Sequence, residues 1–134
     1  MKRIILLAFL CTTTLVMAQR INHVQEAIAN YDYEAALTLI AKEKPTIPLL
    51  LQKGKAQRGL GMNTEALSTY QEIIANDTAN TRAYIEAAEC CRSLAKYQQA
   101  LKYYEQALDL NPETNMCVFN TSDYCSLYRS FRML

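Results

Sequence analysis

Residues 81–114 read TRAYIEAAECCRSLAKYQQALKYYEQALDLNPET, and their apolar side chains fall into two helical blocks with a turn between. Tyr84, Ala87, Ala88, Cys91 and Leu94 recur at spacings of three and four, which draws one apolar stripe along a helix. The turn Ala95-Lys96-Tyr97 follows, and Ala100, Leu101, Tyr104, Ala107, Leu108 and Leu110 draw a second stripe that Asn111-Pro112 stops. Two such helices in succession predict a helix hairpin.

The same pattern stands thirty-four residues earlier without a gap. Leu50 corresponds to Tyr84, Gly54 to Ala88, Ala66-Leu67 to Ala100-Leu101, Tyr70 to Tyr104, Ile74 to Leu108 and Thr78 to Pro112. A period of this length marks an array in which each hairpin buries its apolar face only against its neighbours. Small residues at Gly54 and Ala66 fit that geometry, because a larger side chain at a close helix crossing would force the helices apart. Lys53 and Gln57 stand where apolar residues are expected, and Thr78 replaces the closing proline.

The pattern Tyr84-x-x-Ala87-Ala88-x-x-Cys91, Ala100-x-x-x-Tyr104, Ala107 and Pro112 closely resembles the tetratricopeptide repeat. That resemblance implies an all-α fold of antiparallel helix hairpins stacked as a short right-handed α-solenoid of about three units, at about 20–46, 47–80 and 81–114. The first unit is drawn from Tyr31-Asp32-Tyr33-Glu34-Ala35-Ala36-Leu37, which repeats the turn and the start of a second helix. Ala36 precedes Ala66 by only 30 residues, so the join to the next unit is shortened. It passes through Pro45 and Pro48, and the helix before it is expected to end near Lys44.

Before the repeats, Lys2-Arg3 precedes a largely apolar run from Ile4 to Val16, and Val16-Met17-Ala18 offers an exit for a signal peptidase. The expectation is a signal peptide at 1–18, a mature chain beginning at Gln19, and a periplasmic or secreted destination. A membrane anchor is the competing reading. However, Thr12-Thr13-Thr14 interrupts the run, which falls short of the roughly 20 residues that a spanning helix needs. Cys11 invites a lipoprotein reading, but Phe9-Leu10 is too bulky for a lipobox.

Loss of residues 1–18 takes the 14 basic residues to 12 against 13 acidic, a formal charge of −1 with His23 neutral. This balance offers no footprint for nucleic acid. Cys90, Cys91, Cys117 and Cys125 remain, and the adjacent pair on a helix reads better as small buried residues than as a disulfide. Residues 115–134 leave the repeat pattern. Tyr124, Leu127, Tyr128 and Phe131 fit the inner face of a capping helix, and a truncated or non-native tail explains the break equally well.

Catalytic machinery is not legible. His23 is the single histidine, and no phosphate loop, nucleophile elbow or Cys-x-x-Cys spacing occurs, so no metal, cofactor or active site is expected. Glu86 and Glu89 lie one turn apart and are expected to be solvated helix-surface charges. The sequons at Asn76 and Asn120, and the short pattern Asp77-Thr78-Ala79, are weak three-residue signals for glycosylation.

The resemblance further implies a binding groove lined by the first helix of each hairpin. Its positions fall on Leu51, Lys55 and Arg58 in the second unit and on Arg82, Ile85, Glu89 and Arg92 in the third. Four of the seven are basic, which points to a protein or peptide partner with acidic side chains. The alternative is an ordinary charged helix face with Glu89 paired to Arg92 or Arg58. No asparagine sits among these positions, which argues against the family's clamp for chaperone tails. The reading is therefore a non-enzymatic scaffold or adaptor in the cell envelope. Alternatives are the N-terminal part of a longer repeat protein, and an accessory domain of an enzyme or envelope complex.

Overall fold

The computed structural model describes residues 1–112, with the backbone alone for residues 6–18. Its described residues form six helices: α1 (Lys2–Ala29), α2 (Tyr33–Ile40), α3 (Ile47–Gly59), α4 (Asn63–Asn76), α5 (Thr81–Ser93) and α6 (Tyr97–Leu110). Each helix packs on the next in the chain, and α1 also touches α3, so three hairpins stack into an all-α array. The expected tail at 115–134, with Cys117, Cys125 and the Asn120 sequon, lies outside the described residues.

All three hairpin turns are built alike. Asp32, Met62 and Lys96 donate their backbone N–H to the carbonyls of Ala27, Gln57 and Cys91, at 2.9, 2.9 and 2.8 Å. One residue before each donor, Tyr31, Gly61 and Ala95 take φ values of 62°, 76° and 57°. This is the Schellman closure, in which a left-handed residue lets the chain reverse while the last helical carbonyls stay bonded. The 30- and 34-residue spacings found in the sequence thus reappear as one turn made three times.

The opening of each helix is set locally. Asp32 accepts from the Ala35 N–H at 3.1 Å to cap α2, and Asn80 accepts from Ala83 at 3.1 Å to cap α5. Pro48 falls in the first turn of α3, where its missing N–H costs nothing. The expected end of α2 near Lys44 is corrected: the helix stops at Ile40. The proline effect reaches only Lys44, the residue before Pro45, so it does not set this end; within the connector Glu43 pairs with Arg20 on α1.

Two apolar clusters meet across α3. Val24, Ile28, Ala36, Ile40, Leu49 and Ala56 form the smaller one in the first hairpin. The larger one runs from Leu50 through Tyr70, Ile73, Tyr84 and Ala88 to Tyr104 and Ala107. Gly54 lies where α3 and α4 cross, and an added Cβ would stand 2.5 Å from the Tyr70 ring. Gly59 serves the stack between units, since a Cβ there would stand 2.4 Å from the ring of Tyr33 on α2. Gln57 is buried but satisfied, because the Thr69 hydroxyl donates to its side-chain oxygen at 2.8 Å. Among the described residues no helix is long and apolar enough to cross a membrane.

Candidate functional site

First helices of successive hairpins stand side by side, and side chains bridge them. Arg58 on α3 pairs with Glu86 on α5 and reaches Glu89 at 4.0 Å. Second helices form the opposite row, where Gln71 on α4 donates to the Tyr103 hydroxyl on α6 at 3.0 Å. The seven residues singled out in the sequence all belong to α3 and α5.

Their placement differs from residue to residue. Lys55 and Arg82 are exposed and make no ion pair among the described residues. Leu51 is half-buried beside Ile47 against the larger core, to which the buried Ile85 belongs. Arg58 and Arg92 are partly exposed, and both are engaged by carboxylates. Glu89 is only 8% exposed and lies beneath the face rather than on it. Glu86 and Glu89 are thus corrected from solvated charges to the acidic centre of a network, in which Glu89 makes the pairing with Arg92 and Arg58 that the sequence offered as the alternative.

Glu89 gathers that network. Its carboxylate accepts from Arg92 Nη2 at 2.7 Å and Nε at 3.2 Å, and from the Tyr104 hydroxyl. The bond to Glu89 holds the Arg92 guanidinium above its ordinary range, against the opposing effect of desolvation. For Arg58, burial pulls the other way, but the Glu86 carboxylate leads a set of favourable charges that raises it overall. Burial first, and then the bond to Glu89, push Tyr104 well above the usual phenol range.

The repeat explains why the network is lopsided. Thirty-four residues before Glu89 stands Lys55, and before Glu86 stands Gln52. Arg58 therefore has no acid of its own one turn back, as Arg92 has, and crosses to α5 instead. Tyr70, the counterpart of Tyr104, is 1% exposed, and its hydroxyl has no hydrogen-bond partner among the described residues. Burial, followed by the Glu86 charge, pushes its pKa well above the usual phenol range, so the hydroxyl stays neutral. Only the register comparison of Lys55 with Glu89 could have signalled this in the sequence.

Cys90 and Cys91 are free, buried thiols. Burial pushes Cys90 up to about 12, with Arg58 opposing, so it stays protonated and unreactive at neutral pH. Among the described residues no group of three or more His, Cys, Asp or Glu side chains could hold a metal ion. His23 is exposed on α1 beside Glu26, at 3.8 Å.

Residues 81–114 match the family model of the tetratricopeptide repeat. No match was found among curated proteins. Among solved structures, the chain is similar to PcrH from Pseudomonas aeruginosa, at 18% identity and TM-score 0.69 over 75% of this chain and 79% of that one. It is also similar to PcrH in complex with the chaperone binding region of PopB, at 18% identity and TM-score 0.67 over 89% and 94%. The Yersinia enterocolitica type III secretion translocator chaperone SycD aligns at 17% identity and TM-score 0.71 over 87% and 91%. The chain thus carries a tetratricopeptide repeat and folds as an all-α helical repeat array. At these identities the likeness to solved structures speaks to fold.

Proposed function

We propose that the chain is a non-enzymatic scaffold that holds a protein or peptide segment on the face shared by α3 and α5, and that it acts after export, in the cell envelope or outside the cell. The observation that carries the binding reading is the row of first helices on which, among the described residues, Lys55 and Arg82 make no ion pair. Charges left over from internal pairing are those available to a partner, so acidic side chains of the segment would meet Lys55 and Arg82. Arg58 and Arg92 already serve Glu86 and Glu89. Similarity to PcrH, which has been crystallised with the chaperone binding region of PopB, supports a segment-holding role. Export is supported by Lys2-Arg3, the apolar run after it and Val16-Met17-Ala18.

The test of the face is charge reversal with a partner co-purified from the native host. Lys55→Glu with Arg82→Glu is expected to weaken binding at least tenfold and to flatten its salt dependence, while Lys102→Glu on the exposed side of α6 leaves both unchanged. Loss of binding in Lys102→Glu alone would contradict the assignment. Reversal of Arg58 or Arg92 is a poorer test, because it would set a carboxylate beside the buried Glu89 and disturb the fold itself. For export, N-terminal sequencing of protein from the native host should begin at Gln19. Full-length protein in the cytosol would overturn that part.

A further inference from the structure

The second helix of the first hairpin is short. α2 has 8 residues, whereas α4 and α6 have 14 each. The connector that follows, residues 41–46, is not helical, so the flanks of α2 and α3 lose the cover that the longer helices give in later units. Two adjoining cavities result. One, of about 270 Å³, has Ile21, Val24, Leu39 and Leu49 on its walls. The other, of about 390 Å³, has Leu37, Ile40, Pro45 and Leu50. Leu49 and Glu43 border both.

Around these apolar walls the charge is one-sided. Lys42 and Lys44 edge the first cavity and Lys53 the second, and none of the three makes an ion pair among the described residues. Glu43, the one acid on either wall, is already taken by Arg20. An apolar cavity pair with three uncommitted ammonium groups is complementary to apolar side chains flanked by carboxylates. Exposed lysines alone bind weakly, but beside an apolar pocket they select the sign of what enters it.

We propose that this cavity pair is a second docking site, separate from the face of α3 and α5, for a partner polypeptide segment whose apolar side chains alternate with aspartate or glutamate. Two apolar side chains enter the cavities on either side of Leu49, and the acidic neighbours lie over Lys42, Lys44 and Lys53. The shortened join between the first and second units is then a functional feature of the array.

The experiment titrates the full chain, isotopically labelled, with three synthetic ten-residue peptide pools: leucine with glutamate, leucine with lysine, and serine with glutamate. Amide chemical shifts report the site. The leucine–glutamate pool is expected to move amides within residues 39–53, and the other two pools to leave them in place. Lys42→Glu with Lys44→Glu and Lys53→Glu should weaken that binding at least tenfold without changing the melting temperature. Ala41→Phe, which fills the second cavity, should weaken it at least threefold with the charges intact. The proposal is overturned if the leucine–lysine pool binds equally, or if the shifts fall on α5 and spare residues 39–53. It is also overturned if laurate moves these amides and the peptide pool does not. If the same amides shift with protein concentration alone, the occupant is a second copy of the chain and the proposal fails.

Discussion

Tyr70 and Tyr104 occupy one repeat position and make opposite contributions. The Tyr104 hydroxyl donates to Glu89, whereas that of Tyr70 is buried with no hydrogen-bond partner among the described residues, since Lys55 stands in the place of Glu89. An unsatisfied buried polar group costs about 1–3 kcal/mol, and a satisfied bond to a charged group stabilises by a similar amount. Tyr70→Phe is therefore expected to be neutral or stabilising, and Tyr104→Phe to lose about 1–3 kcal/mol. Urea denaturation of the two variants decides the matter, and equal losses would refute the register argument. These residues also fix how stability depends on alkali. Cys90, Tyr70 and Tyr104 hold their protons to higher pH when folded than their ordinary values of 9.0 and 10.0. Above about pH 9 the unfolded chain then binds fewer protons than the folded one, so stability falls as pH rises. The melting temperature should stay level from pH 7 to 8.5 and decline beyond pH 9, less steeply in Cys90→Ala.

Among the elements, the hairpin crossings are the least forgiving positions. Ala100 is fully buried on α6, and overpacking such a site costs about 1–3 kcal/mol. Ala100→Leu should lower the melting temperature by several degrees, while Ala79→Leu in the exposed connector before α5 should leave it unchanged. Equal tolerance would mean that α5 and α6 cross elsewhere. The crossings were legible in the sequence because Gly54, Ala66, Ala88 and Ala100 are small residues set inside an apolar pattern of fixed period. Helix ends at Gly59 and Ser93 were legible for a like reason, since each turn repeats. The end of α2 was not, because Pro45 and Pro48 restrict only the residues beside them and leave the preceding helix free to stop earlier. Burial of Glu89 was equally hidden, although its pairing with Arg92 or Arg58 was legible from the charges one turn away and one repeat away. Gly59 ends α3 and also serves packing between units, against the ring of Tyr33.

At the level of the whole molecule, an array of this kind is joined by nearest-neighbour interfaces, so what links the units also shapes the surface they present. The Arg58–Glu86 bridge ties α3 to α5 on one row, and Gln71–Tyr103 ties α4 to α6 on the other. Among the described residues Lys55 and Arg82 are left on the first row without an ion pair, which is why that face is proposed for the partner. Seven residues picked from the sequence thus resolve into two exposed cations, two engaged arginines, a half-buried leucine and two buried side chains. Amide hydrogen exchange of the full chain, free and saturated with its co-purified partner, tests this assignment most directly. Slowed exchange is expected along Leu51–Arg58 and Arg82–Arg92, with α4 and α6 unchanged. Protection confined to α4 and α6 would contradict it.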